Sequence, residues 1–145
     1  MTQFKIRKFY EVTLMNLQDE LTDGITNNLQ LDDICYKIFL NYLGTHSSDQ
    51  FPKYIKEDQC FILNTASLNK KGVHWVAFYK RKKLLYVYDS FSRPVTILSK
   101  FWKNKKIISA NKDQDQSYLS NECRSKAICW LITSKKIGDK IINTI

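Results

Sequence analysis

Cys123, His74, Asp89 and Gln116 are the residues of this sequence whose types and spacing can do chemistry together. A cysteine attacks an acyl carbon as its thiolate, so it needs a neighbouring base or imidazolium to hold the proton, and His74 is the candidate. Asp89 can orient that imidazole. The tetrahedral oxyanion needs donors, which the Cys123 backbone N–H and the side-chain amide of Gln116, seven residues upstream, can supply; Gln114 is the alternative glutamine. Together these groups point to thiol-mediated cleavage of an amide bond. Taken singly, each has an ordinary reading: a cysteine among apolar residues is a small buried hydrophobe, as we read Cys35, Cys60 and Cys129, and a Cys/His pair without context is weak. The order of all four carries the argument.

These residues need elements that bring them together. The run from Val73 to Tyr79 is dense in β-branched and aromatic residues, and a charged stretch, Lys80 to Lys83, separates it from Leu84-Leu-Tyr-Val-Tyr-Asp89. That pattern predicts a β-hairpin in which His74, near the start of the first strand, neighbours Asp89, near the end of the second. Cys123 opens a helix with Ser120 or Asn121 as N-cap and with Ala127, Ile128, Trp130 and Leu131 on one broad apolar face. The amides and positive dipole end at that start, together with Arg124, are expected to stabilise a thiolate. Cys123 and Cys129 lie on different faces of this helix and are not expected to pair.

Elsewhere the apolar spacing predicts a helix over 31–43, closed by Gly44, and strands at 60–64, 73–79, 84–89 and 106–109. A helix is predicted over 94–102, with Pro94 in its first turn. Val12 to Leu17 reads as a strand or a helical turn, and Asp23-Gly24 as a break. The fold class is α+β, a mainly antiparallel central sheet with flanking helices and the nucleophile at a helix N-terminus.

Several stretches resemble one family. Tyr42-Leu-Gly-Thr-His46, Phe51-Pro52, Cys60-Phe-Ile-Leu-Asn-Thr-Ala66, Gly72-Val-His-Trp-Val-Ala-Phe78, Tyr86-Val-Tyr-Asp-Ser-Phe91 and the Gln116-to-Cys123 spacing are similar to the maturation cysteine proteases of adenoviruses, the adenain family. The resemblance runs from about Leu31 to Ile132. It implies a papain-like fold and a thiol endopeptidase that cuts viral precursor proteins at small, glycine-containing sites during capsid and core maturation. Carried over by position, His74 is the base, Asp89 the orienting acid, Gln116 the oxyanion donor, Cys123 the nucleophile, and Trp75 a substrate-binding residue. It further implies a place in the virion and the nucleus of the infected cell, with DNA as an activator.

Three positions depart from the family pattern. Arg124 stands where the family has glycine after the nucleophile. About twenty residues follow Cys123, so the family's C-terminal region beyond the nucleophile helix is expected to be absent. No cysteine lies between Asp89 and Gln116, so a disulfide-linked peptide activator does not carry over.

Composition sets the frame for these residues. A chain of 145 residues, 43% apolar and 13% aromatic, can fill one core, and residues 1–145 read as a single domain. No apolar run is long enough for a membrane span, and Met1 to Arg7 lacks a signal-peptide stretch, so four cysteines read as free thiols in a reducing compartment. No paired zinc spacing or phosphate loop is present, and no metal or organic cofactor is expected. The net charge of +9 favours DNA bound without sequence preference, through Lys80, Arg81, Lys82 and Lys83 and through Lys100, Lys103, Lys105 and Lys106. Two other readings stand beside the protease: a peptidase removing ubiquitin-like modifiers, which uses a similar residue set, and a non-catalytic DNA-binding or packaging protein that keeps the fold.

Overall fold

The computed structural model describes residues 2–20, 28–64, 74–90, 107–110 and 123–138. Thr2 starts the first helix, α1 (Gln3–Glu20): its hydroxyl accepts the Lys5 amide at 3.2 Å and its carbonyl accepts the Ile6 amide at 3.0 Å, the pattern of an N-cap. Ile6, Tyr10 and Leu17 bury one stripe of α1 at helical spacing. The Val12-to-Leu17 stretch is therefore helical, and the strand alternative is ruled out.

The second helix, α2 (Asn28–Ile38), stops earlier than the apolar period predicts. Tyr42 and Leu43 belong instead to a strand, β1 (Tyr42–Ser47), whose Tyr42 pairs with Cys60. Gly44 does not close the helix; it sits in a register irregularity of β1 at φ 107°, where a Cβ would stand 3.1 Å from the Tyr36 hydroxyl. The Asp32 carboxylate of α2 accepts the Thr45 amide at 2.6 Å and ties the helix to this irregular strand.

The sheet continues with β2 (Cys60–Asn64), β3 (Trp75–Arg81), β4 (Leu84–Tyr88) and β5 (Ile107–Ser109), in the spatial order β1-β2-β3-β4-β5. Pairings β2–β3 and β3–β4 are antiparallel, whereas β1–β2 and β4–β5 are parallel, so the sheet is mixed rather than mainly antiparallel. The difference comes from the edges: β1 is hidden under a helical period, and the direction of β5 carries no local signal. The β3–β4 turn has two residues, with positive φ at Lys82 alone, which is the type II′ pattern of a tight hairpin.

Side-chain alternation splits the core in two. Phe61, Leu63, Val76, Phe78, Leu85 and Val87 face one side, where Phe51 meets Phe61 and Phe78 edge-on. Cys60, Ile62, Trp75, Ala77, Tyr79, Tyr86 and Tyr88 face the other, where they share a cluster with residues of α1, α2 and the last helix, α3 (Cys123–Ile137). The central strands are thus buried on both faces, which explains their near-continuous apolar sequences. The predicted apolar face of α3 is buried as expected, and Ser125, Lys126, Cys129, Thr133 and Ser134 are buried with it, so little of this helix meets solvent.

The expected helix over 94–102, the Asp23-Gly24 break and the N-cap at Ser120 or Asn121 lie outside the described residues. Among the described residues, no helix is long and apolar enough to cross a membrane. All four cysteines are free and buried.

Candidate active site

Three elements end at the same place. His74 immediately precedes β3, Asp89 immediately follows β4, and the antiparallel pairing brings the start of one strand to the end of the other. The register sets Ala77 opposite Tyr88, so one step further out Asp89 faces Val76 and His74 is its diagonal neighbour on the same face. The hairpin alone predicts direct opposition; the diagonal serves equally, because the imidazole reaches across it. His74 Nε2 and Asp89 Oδ1 are 2.5 Å apart, with the two residues 1% and 2% exposed. A carboxylate at that distance holds the proton on Nε2 and leaves Nδ1 as the ring nitrogen that can exchange a proton with another group.

The thiol comes from the other direction. Cys123 is the first residue of α3, and α3 packs against β3. Its sulfur lies within reach of the backbone amide of Trp75, the residue next to His74, and of the amides of Arg124 and Cys123 itself at the helix start. Burial pushes the thiol above its ordinary value; the Trp75 amide, the Arg124 charge and the helix-start amides oppose that push without overcoming it. The sequence predicts a stabilised thiolate. The stabilising groups are all present, but desolvation at 7% exposure outweighs them.

Trp75 is placed differently from the other site residues. Its indole is 5% exposed and belongs to the core cluster on the helix-covered face, while its main chain is the part that meets the thiol. This amide is a neighbour of the thiol that the sequence does not disclose, because a backbone N–H leaves no mark in the residue type. Gln116 and Gln114 lie outside the described residues, as do Lys100, Lys103, Lys105 and Lys106. Lys80, Arg81, Lys82 and Lys83 are at the hairpin tip, at the opposite end of β3 from His74, with Lys82 and Lys83 exposed. Cys35, Cys60 and Cys129 are fully buried core residues. Among the described residues no group of three or more His, Cys, Asp or Glu is placed to hold a metal ion.

A second layer fixes the two halves of the site to each other. Tyr10 of α1 shares a hydrogen bond with the Tyr88 hydroxyl at 3.0 Å, and its carbonyl accepts the Cys129 thiol at 3.1 Å. Tyr88, next to Asp89, also stacks on Trp130 of α3, with ring centroids 5.6 Å apart. One helix therefore braces both the strand that ends in the acid and the helix that begins with the thiol.

Chemically, a buried, carboxylate-oriented imidazole and a thiol at a helix N-terminus are the parts of a site for acyl transfer through sulfur. The chain belongs to the adenovirus endoprotease family, whose profile matches residues 42–128, a stretch that includes His74, Asp89 and Cys123. It is also similar to the protein named "Protease" of Human adenovirus D serotype 9, at 41% identity over 54 residues. That match covers 34% of this chain and spans a quarter, 25%, of the relative's length.

Proposed function

We propose that this protein is a cysteine endopeptidase in which Cys123 is the nucleophile, His74 the general base and acid, and Asp89 the group that fixes the His74 tautomer. The observation that carries this reading is the buried His74–Asp89 bond at the sheet end where α3 begins with Cys123. Burial favours the protonated thiol, so in this scheme His74 Nδ1 takes its proton as sulfur attacks the carbonyl carbon, and Asp89 stabilises the imidazolium that forms. The C–N bond breaks as His74 returns the proton to the leaving amine. Water, deprotonated by the same nitrogen, then cleaves the thioester and regenerates the thiol. Gln116, or Gln114 in its stead, and the Cys123 amide are the oxyanion donors in this scheme.

The family supports viral precursor proteins as substrates, with small, glycine-containing cleavage sites and a part in capsid and core maturation in the virion and the infected nucleus. A papain-like arrangement is supported by a thiol-bearing helix packed on the strand that follows the histidine. No disulfide-linked peptide activator is part of this reading. DNA, bound through the hairpin-tip cluster and the lysines of 100–106, would bring enzyme and substrate onto one polymer; the net charge of +9 is what favours it.

A peptide-based, thiol-directed probe tests the catalytic reading. It should label Cys123, as located by mass spectrometry, and Cys123→Ala should abolish both labelling and cleavage of a glycine-containing peptide. Full turnover by Cys123→Ala would refute it.

A further inference from the structure

α1 carries a second pattern opposite the stripe it buries. Phe4, Val12 and Met15 are 75%, 48% and 64% exposed, and the charged residues Lys8 and Glu11 lie on the same outward strip. Phe4, Lys8, Glu11 and Met15 are spaced four, three and four residues apart, the spacing of a seam between paired helices. Its apolar ends flank a central pair of opposite charges.

That order discriminates between ways of pairing two copies. A parallel pair would set Lys8 on Lys8 and Glu11 on Glu11, and both contacts repel. An antiparallel pair about a two-fold axis sets Phe4 against the second copy's Met15 and Lys8 against its Glu11, and symmetry makes each contact twice. The net charge of +9 opposes the approach of two copies, so a face that pairs must be locally neutral, as this one is. We propose that the outward face of α1 is a self-association surface on which two copies of this chain pair antiparallel, Phe4 to Met15 and Lys8 to Glu11. The charged centre fixes orientation more than it adds affinity, because burying it costs desolvation. An 18-residue helix is about 27 Å long, and a face of that size falls below the roughly 1,200 Å² of a standard interface, so the pair is weak, with a dissociation constant on the order of 10–100 µM.

Sedimentation equilibrium of the full chain from about 1 to about 300 µM tests this. Wild-type mass should rise from monomer towards dimer over that range. Lys8→Glu and Glu11→Lys, both exposed and each checked for an unchanged circular dichroism spectrum, should each weaken self-association at least tenfold. An equimolar mixture of the two variants should regain it, since each charged contact between the unlike chains then joins one acid to one base. The double variant Lys8→Glu/Glu11→Lys should regain it too, with the charges exchanged. Constant monomer mass at 300 µM overturns the proposal. So does a dimer that survives both single reversals, which would place the contact on another face, and so does a mixture that stays monomeric.

Discussion

The state of the Cys123 thiol before substrate arrives is the sharpest point on which this structure can be tested. Burial raises the thiol above its ordinary value of about 8.5, against the opposing pull of the Trp75 amide, Arg124 and the helix-start amides. At neutral pH the thiol is then favoured over the thiolate. Cysteines poised as ion pairs titrate far lower, at roughly 3.5–7.5, and react at nearly constant rate across neutral pH. Here alkylation of Cys123 by iodoacetamide should rise about tenfold per pH unit, close to a hundredfold between pH 6 and 8, with no plateau below pH 8.5. Mass spectrometry isolates the signal, since Cys35, Cys60 and Cys129 are 0% exposed and Cys123 is 7% exposed. His74→Ala should leave this profile unchanged while removing peptide cleavage, because His74 acts during the attack and not on the resting thiol. A rate that is flat from pH 6 to 8, or one that becomes steep only in His74→Ala, would refute the reasoning and establish a preformed thiolate–imidazolium pair.

Three further outcomes follow from the same geometry. Asp89→Asn should lower kcat by roughly 10²–10⁴ while leaving more residual cleavage than Cys123→Ala or His74→Ala, because the imidazole remains but loses the partner that sets its tautomer; steady-state kinetics on a peptide decide it. Gln116→Ala should lower kcat by roughly 10²–10³ with little change in KM, and a variant that changes only KM would send the test to Gln114. Stability should fall at alkaline pH: burial pushes Cys35 and Cys60 up to about 12, above an unfolded value near 8.5, so their contribution is whole below pH 8.5 and is lost as pH rises towards 12. By pH 10 each thiol costs on the order of 2 kcal/mol, which urea midpoints at pH 8 and pH 10 would show and which Cys60→Ala should reduce.

How far the sequence could be read depended on where each element's signal resides. β2 and β4 announced themselves because strands buried on both faces need continuous apolar residues, and the hairpin that joins His74 to Asp89 followed from two such runs and a charged turn. The same reasoning failed at Tyr42 and Leu43, which continue the apolar period of α2 yet belong to β1, with Tyr42 paired to Cys60; a helical period over a few residues cannot be told from a buried strand, and only the partner strand decides. α1 was obscure because Phe4, Val12 and Met15 place apolar residues on its exposed side and blur the contrast on which an amphipathic pattern depends. At the site, residue identity exposed the imidazole, the carboxylate and the thiol. The thiol's environment was not legible, since desolvation is set by residues distant in sequence, and the Trp75 amide could not be, since every residue but proline has one.

Tyr10 changes what should count as the unit of this protein. The family profile matches from residue 42, yet the hydroxyl and carbonyl that join the acid-bearing strand to the thiol-bearing helix come from residue 10. A fragment trimmed to the region of likeness would hold His74, Asp89 and Cys123 and still lose the brace between them, along with the cover that Ile6, Tyr10 and Leu17 give to the core. Inherited similarity and mechanical integrity thus have different boundaries in this chain. Residues 2–20 lie outside the matched stretch, and α1 within them still ties the two halves of the site together.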